Sequence, residues 1–262
     1  MRALATAATG MAAMDLQVQV IAGNIANMTT TGFKSQRAEF QDLIYEHIQR
    51  IGAQASDQGN ILPVGIEIGS GVKTVGTPRL MTQGTIQQTG NPLDVAIQGQ
   101  GWFKILLPDG TFGYTRDGSF QMDAQGRVVT AEGNLVQPTI TIPANSSGLT
   151  VSQQGQVSVT PAGSATSSVL GQFVITTFIN DAGLQAQGDN LFTATPASGT
   201  PQDTVAGTNS AGTLLQGSLE QSNVEAVTEI SNLIAAQRAY EMNSKVISAA
   251  DQMLQTTSQL MR

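Results

Sequence analysis

There is no cysteine among the 262 residues. No disulfide can staple the fold, no thiol can act as a nucleophile, and no thiolate can hold zinc. Histidine occurs once, as His47. An imidazole-based triad would have a single base and no cysteine partner, so a solvated His47 beside Glu46 is expected. Charged residues make up 12% of the chain, about half the usual quarter. No Lys or Arg occurs from Val128 to Gln237. That stretch lacks the clustered cations that a nucleic-acid groove or an anionic membrane surface requires. No apolar run reaches the ~18 residues of a membrane-spanning helix. Neither nucleic-acid binding nor membrane insertion is expected. A low charge fraction, with a net of −7, suits a surface covered by other copies of the chain, because interface cores shed charge. A weakly charged secreted β protein has the same composition.

What is present begins at the N-terminus. Leu4, Met11, Val18 and Ile25 are spaced by seven, and Ala7, Met14, Ile21 and Met28 repeat the spacing three residues later. This is an a/d heptad, the pattern of a helix packed along a seam. Asn24 to Lys34, rich in Asn, Thr and Gly, is expected to end it. The far end repeats the device. Leu233, Tyr240, Ile247, Leu254 and Met261 fall seven apart, with Ala236, Asn243, Ala250 and Thr257 three residues after the first four. Ser222 and Glu225 have the spacing of a capping box that would start this helix. Two terminal heptad helices with nothing similar between them are expected to pack together around the rest of the chain.

Between them the period changes. In residues 35–80, Phe40, Leu43, Ile44, Ile48 and Ile51 suggest a helical or irregular run. Gly52 to Gly59 reads as a polar tip, and Ile66 and Ile68 alternate as in a strand. The segment is expected to be an extended excursion and return. From Met81 to Leu215, short alternating runs are punctuated by Asp109-Gly110, Asp117-Gly118, Gln125-Gly126, Glu132-Gly133 and the cluster Asn180 to Gly183, as in an all-β domain with tight turns. Loops are expected at Ala144–Gly148, Pro161–Ser168 and Pro196–Gly212. The fold class is α+β: a discontinuous helical domain from 1–34 and 216–262, a connecting segment 35–80, and an all-β domain 81–215.

Catalytic chemistry finds little support. Asp109, Asp117 and Asp123 fit turn roles better than an acid pair or a calcium site. Gly99-Gln100-Gly101 leads into a strand, which fails the structural test for a phosphate loop. Trp102 suits a buried β core better than sugar stacking. No cofactor, metal or catalytic residue is expected. Arg2 and the apolar stretch Leu4 to Met14 superficially match a secretory leader, but Thr6, Thr9 and Gly10 dilute it and the heptad runs unbroken through the mock cleavage site.

Three separated motifs carry a resemblance. Asn24-Ile25-Ala26-Asn27 with Thr31-Gly32-Phe33-Lys34 resembles the N-terminal signature of bacterial flagellar rod and hook proteins. Pro92 to Ile97, Gly101-Trp102-Phe103 and Tyr114 to Gly118 resemble that family's central motif. Gln216 to Val224 and Ala236 to Glu241 resemble its C-terminal one. The likeness runs nearly end to end. Chain length and the segment Ala38 to Thr77 resemble the distal rod most, the proximal rod next and the longer hook least. The resemblance implies a non-enzymatic subunit of a helical, tubular drive shaft that transmits torque. It implies proximal-rod, hook-side and ring proteins as partners, a place in the basal body across the periplasm, and type III export without a cleaved leader. The alternative outside the family is a secreted glycan-binding or hydrolytic β domain. The assembly interface would then be Leu4, Met11, Met14, Val18, Ile21 and Ile25 with Leu233, Tyr240, Ile247, Leu254 and Met261. Asn24, Asn27, Gly32, Phe33 and Lys34 form the family motif.

Overall fold

The computed structural model describes residues 2–49, 64–161 and 166–260. The polar tip expected at Gly52 to Gly59, with Ile51 and Met261, lies outside them. The chain forms two compact units, one from residues 1–25, 36–78 and 226–262, the other from 26–35 and 79–225.

In the first unit, α1 spans Arg2–Ala26 and α2 spans Ala226–Leu260. The two helices pack together, and Gly10 lies against Asn243. A Cβ there would stand 2.9 Å from Asn243 Nδ2. The fully buried positions are small: Ala7 and Ala13 on α1, Ala236 and Ala250 on α2. Ile21 and Asn24 complete the buried set on α1. α2 starts at Ala226, later than a cap at Ser222 implies. The Ser222 hydroxyl instead accepts the Val224 N–H at 3.3 Å, a turn ahead of the helix.

Residues 36–78 form two ladders rather than a helical run. Strand β1 (Glu39–Asp42) pairs antiparallel with the returning β4 (Val72–Gly76), and β2 (Tyr45–Gln49) with β3 (Ile66–Gly69). Once Phe40 to Ile48 are paired with a returning strand, backbone hydrogen bonding settles the ambiguity that short apolar runs leave open. The Thr9 hydroxyl accepts the Val72 N–H at 3.3 Å and ties the ladder to α1. Gly71 lies against the same side chain, at φ 124°. His47 is exposed, with Nδ1 3.0 Å from Glu67 Oε1 across the β2–β3 pair.

The second unit is all β apart from a 3-10 turn at Asp181–Gly183. Its strands are β5 (Ile86–Gln88), β6 (Val95–Gln98), β7 (Trp102–Leu106), β8 (Phe112–Thr115), β9 (Gln121–Met122), β10 (Val128–Val129), β11 (Leu135–Gln137), β12 (Ser146–Val151), β13 (Gln156–Pro161), β14 (Ser168–Gln172), β15 (Val174–Thr177), β16 (Gln185–Gly188), β17 (Leu191–Thr193), β18 (Gln202–Val205), β19 (Thr213–Gln216) and β20 (Ser218–Glu220). The main sheet runs β16-β17-β8-β7-β11-β10-β9, with β15 joining β7 to β18. A three-stranded sheet, β12-β13-β14, and the pairs β19–β6 and β20–β5 complete it. Two loop expectations are corrected: Ser146–Val151 and Gln202–Val205 are strands, because each has an antiparallel partner to satisfy its backbone.

β7 is central, and successive side chains enter opposite clusters, as the period of two requires. Phe103 and Ile105 join the main core with Phe120, Phe173 and Ile175. Trp102 joins Tyr114, Leu184 and Phe192 on the other face. Phe103 meets Phe120 edge-on at 5.0 Å, and Phe120 stacks with Phe173 at 5.9 Å. Such pairs add to plain area burial. The turn glycines divide by cause. Gly110, Gly126 and Gly133 have positive φ. Gly118 does not, but a Cβ there would overlap the Val95 carbonyl oxygen.

Because Trp102 is the sole tryptophan, its fluorescence reads the β unit alone. Phe103→Ala should lower the stability of that unit by about 3–5 kcal/mol, the usual loss for a fully buried phenylalanine. Urea melting followed by Trp102 emission measures it, and a change below 1 kcal/mol would mean that Phe103 is not central to the core.

Candidate assembly surfaces and a buried ion cluster

The family-motif residues expected from the sequence act first on the fold. Asn24 is buried and closes the chain after α1: its Nδ2 donates to the Gln36 carbonyl and its Oδ1 accepts the Gln36 N–H, both at 2.9 Å. The Asn27 side chain accepts from the Thr30 hydroxyl at 3.2 Å. Gly32 has φ 68° and donates its N–H to the Glu220 carbonyl at 2.8 Å; a Cβ there would lie 2.8 Å from the Arg116 backbone. Asn223 stitches the same region. Its Oδ1 accepts the Ser35 N–H at 2.7 Å, and its Nδ2 donates to the Leu80 carbonyl at 2.8 Å.

Lys34 lies at the centre of this region. Its side chain is 1% exposed and that of Glu220 is 0% exposed. The Lys34 ammonium donates to Glu220 Oε1 at 2.6 Å and to the Thr82 carbonyl at 2.8 Å. Glu220 Oε1 also accepts the Gly84 N–H at 2.9 Å. Its other oxygen accepts from Arg116 Nη1 at 3.2 Å. Arg116 Nη2 donates to the Gly99 carbonyl at 2.6 Å, and its guanidinium lies 5.6 Å from the Trp102 ring. The Trp102 indole N–H donates to Asp181 Oδ1 at 3.0 Å.

Two cations thus share one carboxylate out of contact with water. Burial pushes the Lys34 ammonium below its ordinary pKa, against the attraction of Glu220. Arg116 is lowered for the same reason. The sequence marked Lys34 as a motif residue but gave no sign that Arg116 and Glu220 were its partners. Only the low total of charged residues hinted that a buried one would need an explanation.

The expected interface residues divide between inward and outward positions. Ile21 is buried on α1, while Leu4, Met11, Met14, Val18 and Ile25 are half-buried. On α2, Leu233 and Ile247 are half-buried beside the inward row Ala236, Asn243 and Ala250. Tyr240 and Leu254 are exposed. At ~100° per residue, Val227, Ile230 and Ile234 lie on the side opposite that row, and Met242, Val246 and Met253 lie to one flank of it. All six are exposed. Phe33 packs near Arg79, with the guanidinium 5.9 Å from its ring.

The expected turn acids are confirmed in that role. Asp109 accepts from Thr111, Asp117 from the Ser119 N–H, and Asp123 from the Gln125 and Arg127 N–H groups. Among the described residues no His, Cys, Asp and Glu cluster could hold a metal, and no helix is long and apolar enough to cross a membrane.

Comparison with known proteins gives a consistent result along the chain. A family described as "Flagella basal body rod protein" matches residues 4–34. The "Flagellar hook protein FlgE/F/G D1 domain" matches 96–159, and "Flagellar basal body rod FlgEFG protein C-terminal" matches 215–260. The flagellar basal-body rod protein FlgG of Caulobacter vibrioides is 55% identical over 260 residues, covering 99% of each chain. FlgG of Agrobacterium fabrum is 49% identical, covering 98% of each. FlgG of Bacillus subtilis is 36% identical, covering all of both. Lys34, Arg116 and Glu220 fall one in each of the three matched segments.

Removing the shared carboxylate should be the costliest change in the cluster. Glu220→Ala leaves two buried cations facing each other and is expected to destabilise the β unit by about 3–5 kcal/mol. Lys34→Met removes the ammonium that burial penalises and keeps the Arg116–Glu220 pair, so it should cost well under half as much. Denaturant midpoints followed by Trp102 fluorescence give both values. Equal losses would show that the carboxylate has no special place.

Proposed function

The chain belongs to the flagellar basal-body rod proteins, and from that premise we propose that it is a self-assembling subunit of the distal rod. It is a structural protein of the flagellar basal body. In the proposed reading its copies stack into a helical tube that carries torque toward the hook. Proximal-rod and hook-side proteins meet its ends, and ring proteins surround it. Placement in the distal rather than the proximal rod rests on chain length and on the paired strands of residues 36–78.

The observation that carries self-assembly is the surface of α2. Val227, Ile230, Ile234, Met242, Val246 and Met253 are exposed on two sides of a helix whose inward row is mostly alanine. Every residue from Asp251 to Gln259 is exposed. Contiguous exposed apolar surface marks a contact site, and a face carried on two sides requires more than one neighbour. β2 and β3 add Tyr45, Ile48, Ile66 and Ile68, with Ile44 just before β2, all exposed. This two-stranded ladder is proposed to brace adjacent copies and to stiffen the shaft.

Met253 is 63% exposed, so a charge there costs the free chain nothing. Met253→Asp should leave Trp102-monitored melting unchanged. Burying an unpaired carboxylate in a contact costs several kcal/mol, and each ~1.4 kcal/mol is a factor of ten. The critical concentration for filament formation, read by sedimentation and electron microscopy, should therefore rise by two orders of magnitude or more. Normal filaments from this variant would remove α2 from the assembly contact. Absence of any polymer from the unmodified chain would remove the proposal itself.

A further inference from the structure

The β unit carries a cation that the ion cluster does not use. Arg79 is half-buried in a cleft of about 170 Å³, shared with Phe33, Gly188, Asp189, Asn190 and Phe192. That volume is far above the ~10–15 Å³ that one water needs, so it admits a side chain. The guanidinium is held in place, 5.9 Å from the Phe33 ring and 5.5 Å from the Phe192 ring. One of its nitrogens, Nη1, donates to the Lys34 carbonyl at 3.2 Å. Arg79 makes no ion pair among the described residues. Burial lowers its pKa, and no charged neighbour counters that effect. Two acids of the same unit are committed elsewhere, the buried Glu220 to Lys34 and Arg116, and the half-buried Asp181 to the Trp102 indole. Asp189 lines the cleft but is exposed and forms no ion pair with Arg79, in a turn with φ 51° there and 57° at Asn190. Its charge acts on Glu132.

The two rings and the Lys34 carbonyl offset part of the desolvation cost of the guanidinium, but they leave its charge without a carboxylate. Its planar fork matches a carboxylate in two-point geometry. We propose that the Arg79 cleft is a receptor for a carboxylate side chain of a second copy of this chain. Charge complementarity supports that occupant: the chain has 19 acids against 12 bases, and acids such as Glu241 on α2 are exposed. The inference rests on the self-assembly proposed above and adds to it a polar contact outside the helical faces.

The test compares Arg79→Met and Arg79→Lys with the unmodified chain. Arg79→Met keeps an apolar stem against Phe33 and Phe192, so the Trp102-monitored midpoint should stay or rise. Its critical concentration for filaments should rise at least tenfold, and Arg79→Lys, which keeps the charge, should recover part of that loss. Arg79→Met filaments at the unmodified concentration would overturn the inference, while self-assembly would stand. A fallen midpoint in Arg79→Met, with assembly rescued no better by Lys than by Met, would reduce Arg79 to packing. Acetate added to dilute monomer, followed by the Arg79 Nε–H resonance, checks the source. Saturable acetate binding that leaves the critical concentration unchanged would make the cleft a small-anion site and overturn the second-copy occupant. Failure of the unmodified chain to polymerise would end both readings.

Discussion

Lys34, Arg116 and Glu220 meet where water is absent, and the β unit is arranged around their need for one another. A buried carboxylate or ammonium left without a partner costs a large part of total stability. Glu220 therefore accepts from Lys34, Arg116 and the Gly84 N–H, and Lys34 donates onward to Thr82. These demands fix the position of residues 30–35 against residues 79–84 and 218–223. Gly32 and Asn223 add backbone bonds to the same join. An apolar cluster could hold the same volume more cheaply. It would not select one register among three segments far apart in the chain, whereas a forked hydrogen-bond set tolerates no slip.

The helices follow a different rule. An ordinary amphipathic helix turns its large apolar residues inward. Here the fully buried positions of α1 and α2 are mostly alanine, Gly10 lies in the contact, and on α2 methionine, valine and isoleucine stand outside. Small inward residues let two helices approach closely but bury little area, so the pair gains modestly from its own contact. In the proposed assembly the larger hydrophobic gain is left for neighbours. That division suits a structural rod protein, in which strength comes from repetition of contacts rather than from a single site.

The heptads at both ends were legible because their periods are long and unbroken, and the turn glycines because positive φ has few alternatives. Which heptad row faces inward was not legible. Leu233 stands beside Ile234 and Tyr240 beside Ala239, apolar residues that point elsewhere, and close approach at Gly10 selects the alanine row by size rather than by apolarity. Phe40 to Ile48 were ambiguous for a related reason: short apolar runs are compatible with helix or strand until a partner strand is supplied, and that partner lies at 66–76. Ser146–Val151 carries the glycine, serine and threonine of loops and Gln202–Val205 the glutamine, aspartate and threonine, yet pairing makes them strands.

The α+β class, the two terminal helices, the all-β centre and the family could be read from the sequence. Each of these depends on local period, composition or motif order, which the chain carries without reference to distant residues. Tertiary structure alone decided that Lys34 is buried against Glu220, 186 positions away, and that Arg116 shares the same carboxylate. It also decided that Arg79 is left without one. Charge pairing is settled by distance in space, and chain separation places no limit on it. A sequence can therefore show that charges are few without showing which of them meet.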